Sequence, residues 1–147
     1  MANIKLTNFP TITNQDWISD NILNNRGGRF VARVAKGVVP LMPVRRGNLS
    51  NPSFSAAYEN DPALYICESV VVVDGKPYGV ITCDICTAKC TNVPANVNST
   101  DTYTITFAGG GDDGTDPNVV ATKATTGILF RIIDADPDNN TITYIKA

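Results

Sequence analysis

Apolar and polar residues alternate over several short stretches of this 147-residue chain. The pattern is plainest in "TYTITFA" (102–108) and "TITYIKA" (141–147), where isoleucine and aromatic residues sit at every second position. Successive side chains of a strand point to opposite faces, so this period predicts half-buried β-strands. "VVATKA" (119–124) and "GILFRIIDA" (127–135) read the same way. "ALYICESVVVV", "DGKP" and "YGVITCDIC" form the strongest hairpin signal, two runs of β-formers around an Asp74–Gly75 turn. Upstream, "RFVARVAKGVVPLMPV" (29–44) is extended and apolar but contains Pro40 and Pro43. Proline removes ladder donors, so a strand there must end, bulge or lie at an edge. Residues 45–63 carry no clear period and read as a long connection. Only "TNQDWISDNILNN" has helical spacing: Thr13 is placed to cap, Asp16 lies near the positive end of the dipole, and Ile18 and Ile22 share a face. Gly27 and Gly28 end that pattern. The resulting expectation is an all-β chain, a small sandwich or barrel of about seven strands, with an extended N-terminal arm containing one short helix.

Composition agrees with the pattern. Valine, isoleucine and threonine number 43 against 6 leucines, and residues branched at Cβ suit a pleated surface better than a helix. The length suits one compact domain. Residues themselves show no internal repeat. Charge divides the chain more clearly: residues 1–50 carry seven basic and two acidic side chains, while residues 51–147 carry five basic and twelve acidic ones. We therefore separate a basic N-terminal arm and first strand (1–50) from an acidic β-rich body (51–147). Dispersed basic residues and an acidic whole-chain isoelectric point argue against nucleic acid as partner. Absence of an 18-residue apolar run argues against a membrane-spanning helix, and the N-terminus lacks the apolar region of a signal peptide. Synthesis in a cytoplasm is expected, where thiols stay reduced.

Candidate chemistry is sparse. "CDICTAKC" (83–90) holds Cys83, Cys86 and Cys90, with Cys67 as a fourth cysteine, in a chain without histidine. A structural zinc site usually presents two separated pairs of ligands, and ferredoxin-type clusters need another spacing. Metal bound by all four cysteines and a disulfide are thus the minor readings, and free, small apolar thiols the major one. If Asp74 to Lys76 formed the hairpin loop, Cys67 would face Cys83. A loop of Gly75–Lys76 or Asp74 to Pro77 would place it opposite Asp84 instead. "GGGDDGTDP" (109–117) reads as a mobile hairpin loop, with Asp112, Asp113 and Asp116 as a weaker cation-binding alternative. Asp134, Asp136 and Asp138 match the first ligand spacings of an EF-hand loop. Asn139 and Ile145, however, replace its turn glycine and bidentate glutamate, so a polar turn is expected. Without histidine, no Ser-His-Asp or Cys-His arrangement exists, and an enzyme is not expected.

The short apolar helix and the basic stretch that follows it point to protein binding. Trp17, Ile18, Ile22, Arg26, Arg29 and Arg33 are the candidate contact residues. In size and organisation, residues 1–50, especially "NRGGRFVARVAKGVVPLMPV", followed by the β body, resemble the decoration or cement proteins of tailed-bacteriophage heads. That resemblance implies a virion protein in many copies, as trimers or dimers, bound to the major capsid protein and stabilising the shell. It implies no cofactor and no family residue to carry over. A head–tail adaptor or fibre-associated module, or a small four-cysteine metalloprotein, are the alternatives.

Overall fold

The computed structural model describes residues 28–47, 54–111 and 114–147. The helix expected around Trp17 lies outside them. Among the described residues there are ten strands: β1 (Arg29–Arg33), β2 (Met42–Arg46), β3 (Phe54–Ala56), β4 (Tyr65–Val73), β5 (Lys76–Thr82), β6 (Ile85–Lys89), β7 (Tyr103–Phe107), β8 (Val119–Lys123), β9 (Phe130–Asp136) and β10 (Thr141–Lys146). They form two antiparallel five-stranded sheets and no helix. All-β architecture is therefore correct, while ten strands replace the expected seven. Three local features account for the difference. The run 29–44 is broken around Pro40, which divides it into β1 and the start of β2. The supposed long connection holds β3. "YGVITCDIC" also breaks at Cys83–Asp84, so that β5 stays in the first sheet and β6 enters the second.

The hairpin between β4 and β5 uses a two-residue turn, Asp74–Gly75, with φ of 53° and 77°. Two successive positive φ values define the type I′ geometry that matches strand twist. Val73 faces Lys76, a register that none of the anticipated loops provides. Glu68 then forms a bulge between Cys67 and Ser69, leaving Cys67 opposite Ile81 rather than Cys83 or Asp84.

The two sheets are the same sheet built twice. Their orders are β1-β5-β4-β2-β3 and β6-β10-β9-β7-β8, in each case first, fifth, fourth, second, third. In both, the residue after the first strand makes a parallel bridge to the start of the third: Val34 to Phe54, and Cys90 to Val119. The next amide repeats the same bond, Ala35 N–H to Phe54 O at 2.9 Å and Thr91 N–H to Val119 O at 3.0 Å. These contacts bring the outer strands of each sheet together, so each sheet curls around its own core. Both fourth strands carry a bulge, at Glu68 and at Ile133. From bridge to bulge is 14 residues in each half (54 to 68, 119 to 133). Over this interval only a few side chains correspond closely, among them Ala56 with Ala121, Leu64 with Leu129 and Tyr65 with Phe130, so the repeat is invisible in sequence.

Val34, Met42, Val44, Phe54, Cys67 and Ile81 fill the first core. The second is larger and centres on Tyr103, Ile105, Phe130, Ile142 and Tyr144. Ile66 and Cys67 are adjacent on β4 and both fully buried, because Cys67 points into the first core and Ile66 into the second. Burying a side chain the size of Ile66 contributes about 1.5–3 kcal/mol, and here it does so between the halves.

A short ladder completes this junction. β9 pairs with β7 only at Tyr103–Phe130, which leaves the β7 edge from Ile105 to Phe107 to the segment before β4. Asn60 N–H donates to Phe107 O at 2.8 Å, Phe107 N–H to Asp61 O at 2.9 Å, and Ala63 N–H to Ile105 O at 2.8 Å. Pro62 bridges to Thr106, and the buried Tyr144 hydroxyl donates to Ala63 O at 2.8 Å.

Candidate interaction surface

Of the candidate contact residues, Trp17, Ile18, Ile22 and Arg26 lie outside the described residues. Arg29 and Arg33 lie on one face of β1. The Arg29 guanidinium pairs with Glu68, the β4 bulge residue, and both side chains remain half exposed. Arg33 Nε is buried and has no hydrogen-bond partner among the described residues.

The four cysteines do not assemble. Cys67 belongs to the first core and Cys86 and Cys90 to the second, while Cys83 is half-buried between the sheets and donates to Gly28 O at 3.2 Å. All four are free thiols. Burial pushes the Cys67 thiol up to about 12 and the Cys86 thiol up to about 11. Burial and neighbouring Asp84 raise Cys83 as well. A raised thiol is a poor nucleophile and a poor metal ligand, because both tasks require the thiolate. Among the described residues no group of three or more cysteine or carboxylate side chains comes together to hold a metal ion.

The aspartates act on the backbone. Asp136 accepts from Asn139 Nδ2 at 2.7 Å and from the amides of Asp138 and Asn139 at 3.2 and 3.3 Å. These bonds hold its carboxyl below the usual range, with the Asn139 side chain first among the causes. It thereby closes the β9–β10 hairpin, where Asn140 takes a φ of 54°. The glycine-rich stretch lies, as expected, in the hairpin loop between β7 and β8. The β7–β8 pairing continues into it through Ala108 N–H to Asn118 O and Asn118 N–H to Gly109 O. Gly111, at φ 96°, lies so close to the Met42 methyl group that a side chain there would collide with the first core. The loop is a second contact between the halves.

What the sequence did not reveal is an apolar patch on the outer face of the second sheet. Ile85 is 51% exposed and Ile133 54% exposed, and Ile85 pairs across the ladder with Ile145. Around them the outer positions of β6, β7 and β10 are polar, including Thr87 and Thr143, which share a hydrogen bond at 2.9 Å. A groove of about 630 Å³ runs beside the patch, between β9 and the segment from Pro94 to Ser99. Arg131 straps that segment in place by donating to Ser99 O at 2.9 Å. Alternation in "ICTAK" and "TITYIK" could have placed Ile85 and Ile145 opposite the core-facing Cys86 and Tyr144. Nothing in the sequence marks the bulge that leaves Ile133 and Asp134 exposed side by side.

A smaller groove, of about 240 Å³, lies in the first half between Val44–Arg46 and the segment Asp61–Tyr65. Arg45 spans it with its guanidinium 4.2 Å above the Tyr58 ring, and Arg45 Nε is buried without a partner among the described residues.

No protein-family model, no curated protein and no solved structure matches this chain.

Proposed function

We propose that the chain is a non-enzymatic structural protein whose work is to bind other proteins. The observation that carries this reading is the patch of Ile85, Ile133 and Ile145, with its adjoining groove, on a face otherwise rich in threonine. Apolar surface gathered in one place and rimmed by polar residues is the usual composition of a protein contact. The partner we propose is the major capsid protein of a tailed-phage head, with many copies decorating and stabilising the shell as part of the virion. Support for that finer statement comes from the likeness in size and organisation. In this reading, residues 1–27 supply a second anchor through Trp17, Ile18 and Ile22, ordered on contact with the shell.

Co-sedimentation with shells lacking the protein tests the proposal. Ile85→Asp and Ile133→Asp, at exposed positions, are expected to leave the melting temperature within about 2 °C of wild type and to weaken binding at least tenfold. Deletion of 1–27 is expected to remove attachment while the body stays folded. Wild-type protein that stays in the supernatant at every concentration would refute the capsid partner, and full binding by both aspartate variants would refute the role of the patch.

A further inference from the structure

The apolar patch lies beside the point at which residues 1–27 join the β body. Gly28 is the first described residue, and its carbonyl accepts from Cys83 N–H at 3.1 Å and from Cys83 Sγ at 3.2 Å. A Cβ built on Gly28 would lie 2.6 Å from Asp84 Cγ, so its backbone presses directly on the Asp84 side chain. The next residue along is Ile85, the first member of the patch. From there the patch crosses neighbouring strands. β6, β10 and β9 are adjacent in that order, so Ile85, Ile145 and Ile133 span about 10 Å at the usual spacing of paired strands. Val72, the most exposed of the large apolar side chains at 66%, lies instead beside the β4–β5 turn, where it faces Pro77 at the far end of β5 from Thr82.

We propose that in the free protein the chain's own residues 14–24 cover this patch as a short amphipathic helix, with Trp17, Ile18 and Ile22 laid on Ile85, Ile133 and Ile145. Reach, size and charge agree. Residues 25–27 extend at most about 10 Å from Gly28, which confines the end of the helix to the neighbourhood of Cys83–Ile85. A helix over 14–24 is about 16 Å long and about 10 Å wide, enough to cross the three strands. Residues 1–27 carry Lys5 and Arg26 against Asp16 and Asp20, so no net side-chain charge is brought onto an apolar face, and Arg26 falls two residues from the Gly28–Asp84 contact. A helix this short is marginal by itself in water and gains its stability from the surface it covers. The inference rests on reading the patch as a binding surface and adds what governs that surface. On a shell, the segment leaves the patch and is ordered again on the shell, so that both contacts become available together. A site open in only a fraction of molecules binds with its affinity reduced by that fraction, which favours a partner that engages both elements over one that touches the patch alone. Covering the patch also keeps free copies from associating through it.

Trp17 is the only tryptophan, so its fluorescence reports on the segment in the unlabelled full-length chain. In dilute wild type, with no shell present, Trp17 should emit to the blue of the urea-unfolded protein and be shielded from acrylamide. Ile85→Asp and Ile133→Asp, on separate strands, should each raise the acrylamide quenching constant at least twofold, whereas Val72→Asp should leave it at the wild-type value. A cooperative melt of each variant verifies that its β body is folded. Free quenching of Trp17 in wild type would overturn the proposal. So would shielding that neither Ile85→Asp nor Ile133→Asp relieves, or that Val72→Asp relieves equally, because the segment would then lie elsewhere. Shielding that grows with protein concentration would also overturn it, since the occupant would be the segment of a second copy. These measurements involve no shell, so their failure is distinct from a failure to co-sediment, which bears on the capsid partner alone.

Discussion

Replacing Gly79 with alanine adds one methyl group in the middle of β5, and the surroundings allow its effect to be worked out. The new Cβ would lie 2.6 Å from Cys67 Sγ, 3.0 Å from Val34 Cγ1 and 3.4 Å from Ser69 O. Gly79 does not have a positive φ, so backbone strain does not enter. In isolation the change would help by about 0.5–1 kcal/mol, because glycine loses more conformational freedom on folding than alanine. Against this stands overpacking, typically about 1–3 kcal/mol in a closed core. Cys67 is 0% exposed and its thiol is held to Ser69 O at 3.4 Å, so the sulfur has nowhere to retreat. The net expectation is a loss of about 0.5–2 kcal/mol. Cys67→Ala removes the colliding atom, so in that background Gly79→Ala should be neutral or stabilising. The coupling between the two changes is then about 1–3 kcal/mol, well above the roughly 0.5 kcal/mol scatter of independent sites. Urea denaturation of wild type, both single variants and the double variant measures it, provided the m-value stays constant. Simple additivity of the two substitutions would show that the collision does not govern the site.

Four further outcomes follow. Tyr144→Phe should cost about 1–3 kcal/mol by urea denaturation, since Ala63 O loses its hydroxyl donor; Tyr103→Phe should be nearly neutral, because that hydroxyl is buried without a partner among the described residues. Native labelling with a thiol reagent should modify Cys83 first and spare Cys67 and Cys86 until unfolding, after which four thiols should react without reductant. Because burial lifts the folded-state pKa of Cys67 and Cys86 above the unfolded value, their contribution is complete below about pH 8.5 and declines toward pH 11–12. The decline is at most about 1.4 kcal/mol per pH unit per thiol, and the Cys67→Ala/Cys86→Ala variant should show a flatter alkaline profile. Asp136 has the opposite sign: its lowered pKa makes its contribution present above the ordinary carboxylate range and lost as pH falls through the folded value. Asp136→Asn should therefore reduce the acid sensitivity of the thermal melt.

The Asp74–Gly75 turn and the alternation in "TYTITFA" were legible because both are local: a dipeptide that accepts two positive φ values, and side chains that keep strict period two. Strand order was not. β1 pairs with β5 and not with β2, a choice set by long-range packing with no trace in either segment. Register was not legible either: the two-residue turn shifts the pairing by one position and the extra residue at Glu68 by another, so Cys67 lies opposite Ile81. At the surface, charge and proximity to the apolar arm single out Arg29 and Arg33 in the sequence, whereas Ile85 and Ile133 gain their prominence only once neighbouring strands are in place.

Insertion of the fifth strand between the first and fourth sets the order in which either half can be completed. As the chain emerges from a ribosome, β2, β3 and β4 can pair with one another, but β1 must wait for a partner more than forty residues downstream (Arg33 for Tyr78). Pairings of such long separation slow folding, because the entropy of closing the loop is lost before the contact rewards it. Each half should therefore form late and all at once. During synthesis the first half should also display Ala63 and Ile66, bare of their cover, until β7 and β10 arrive, a brief interval in which the nascent chain is most open to chaperones and to mispairing with its neighbours on the same message.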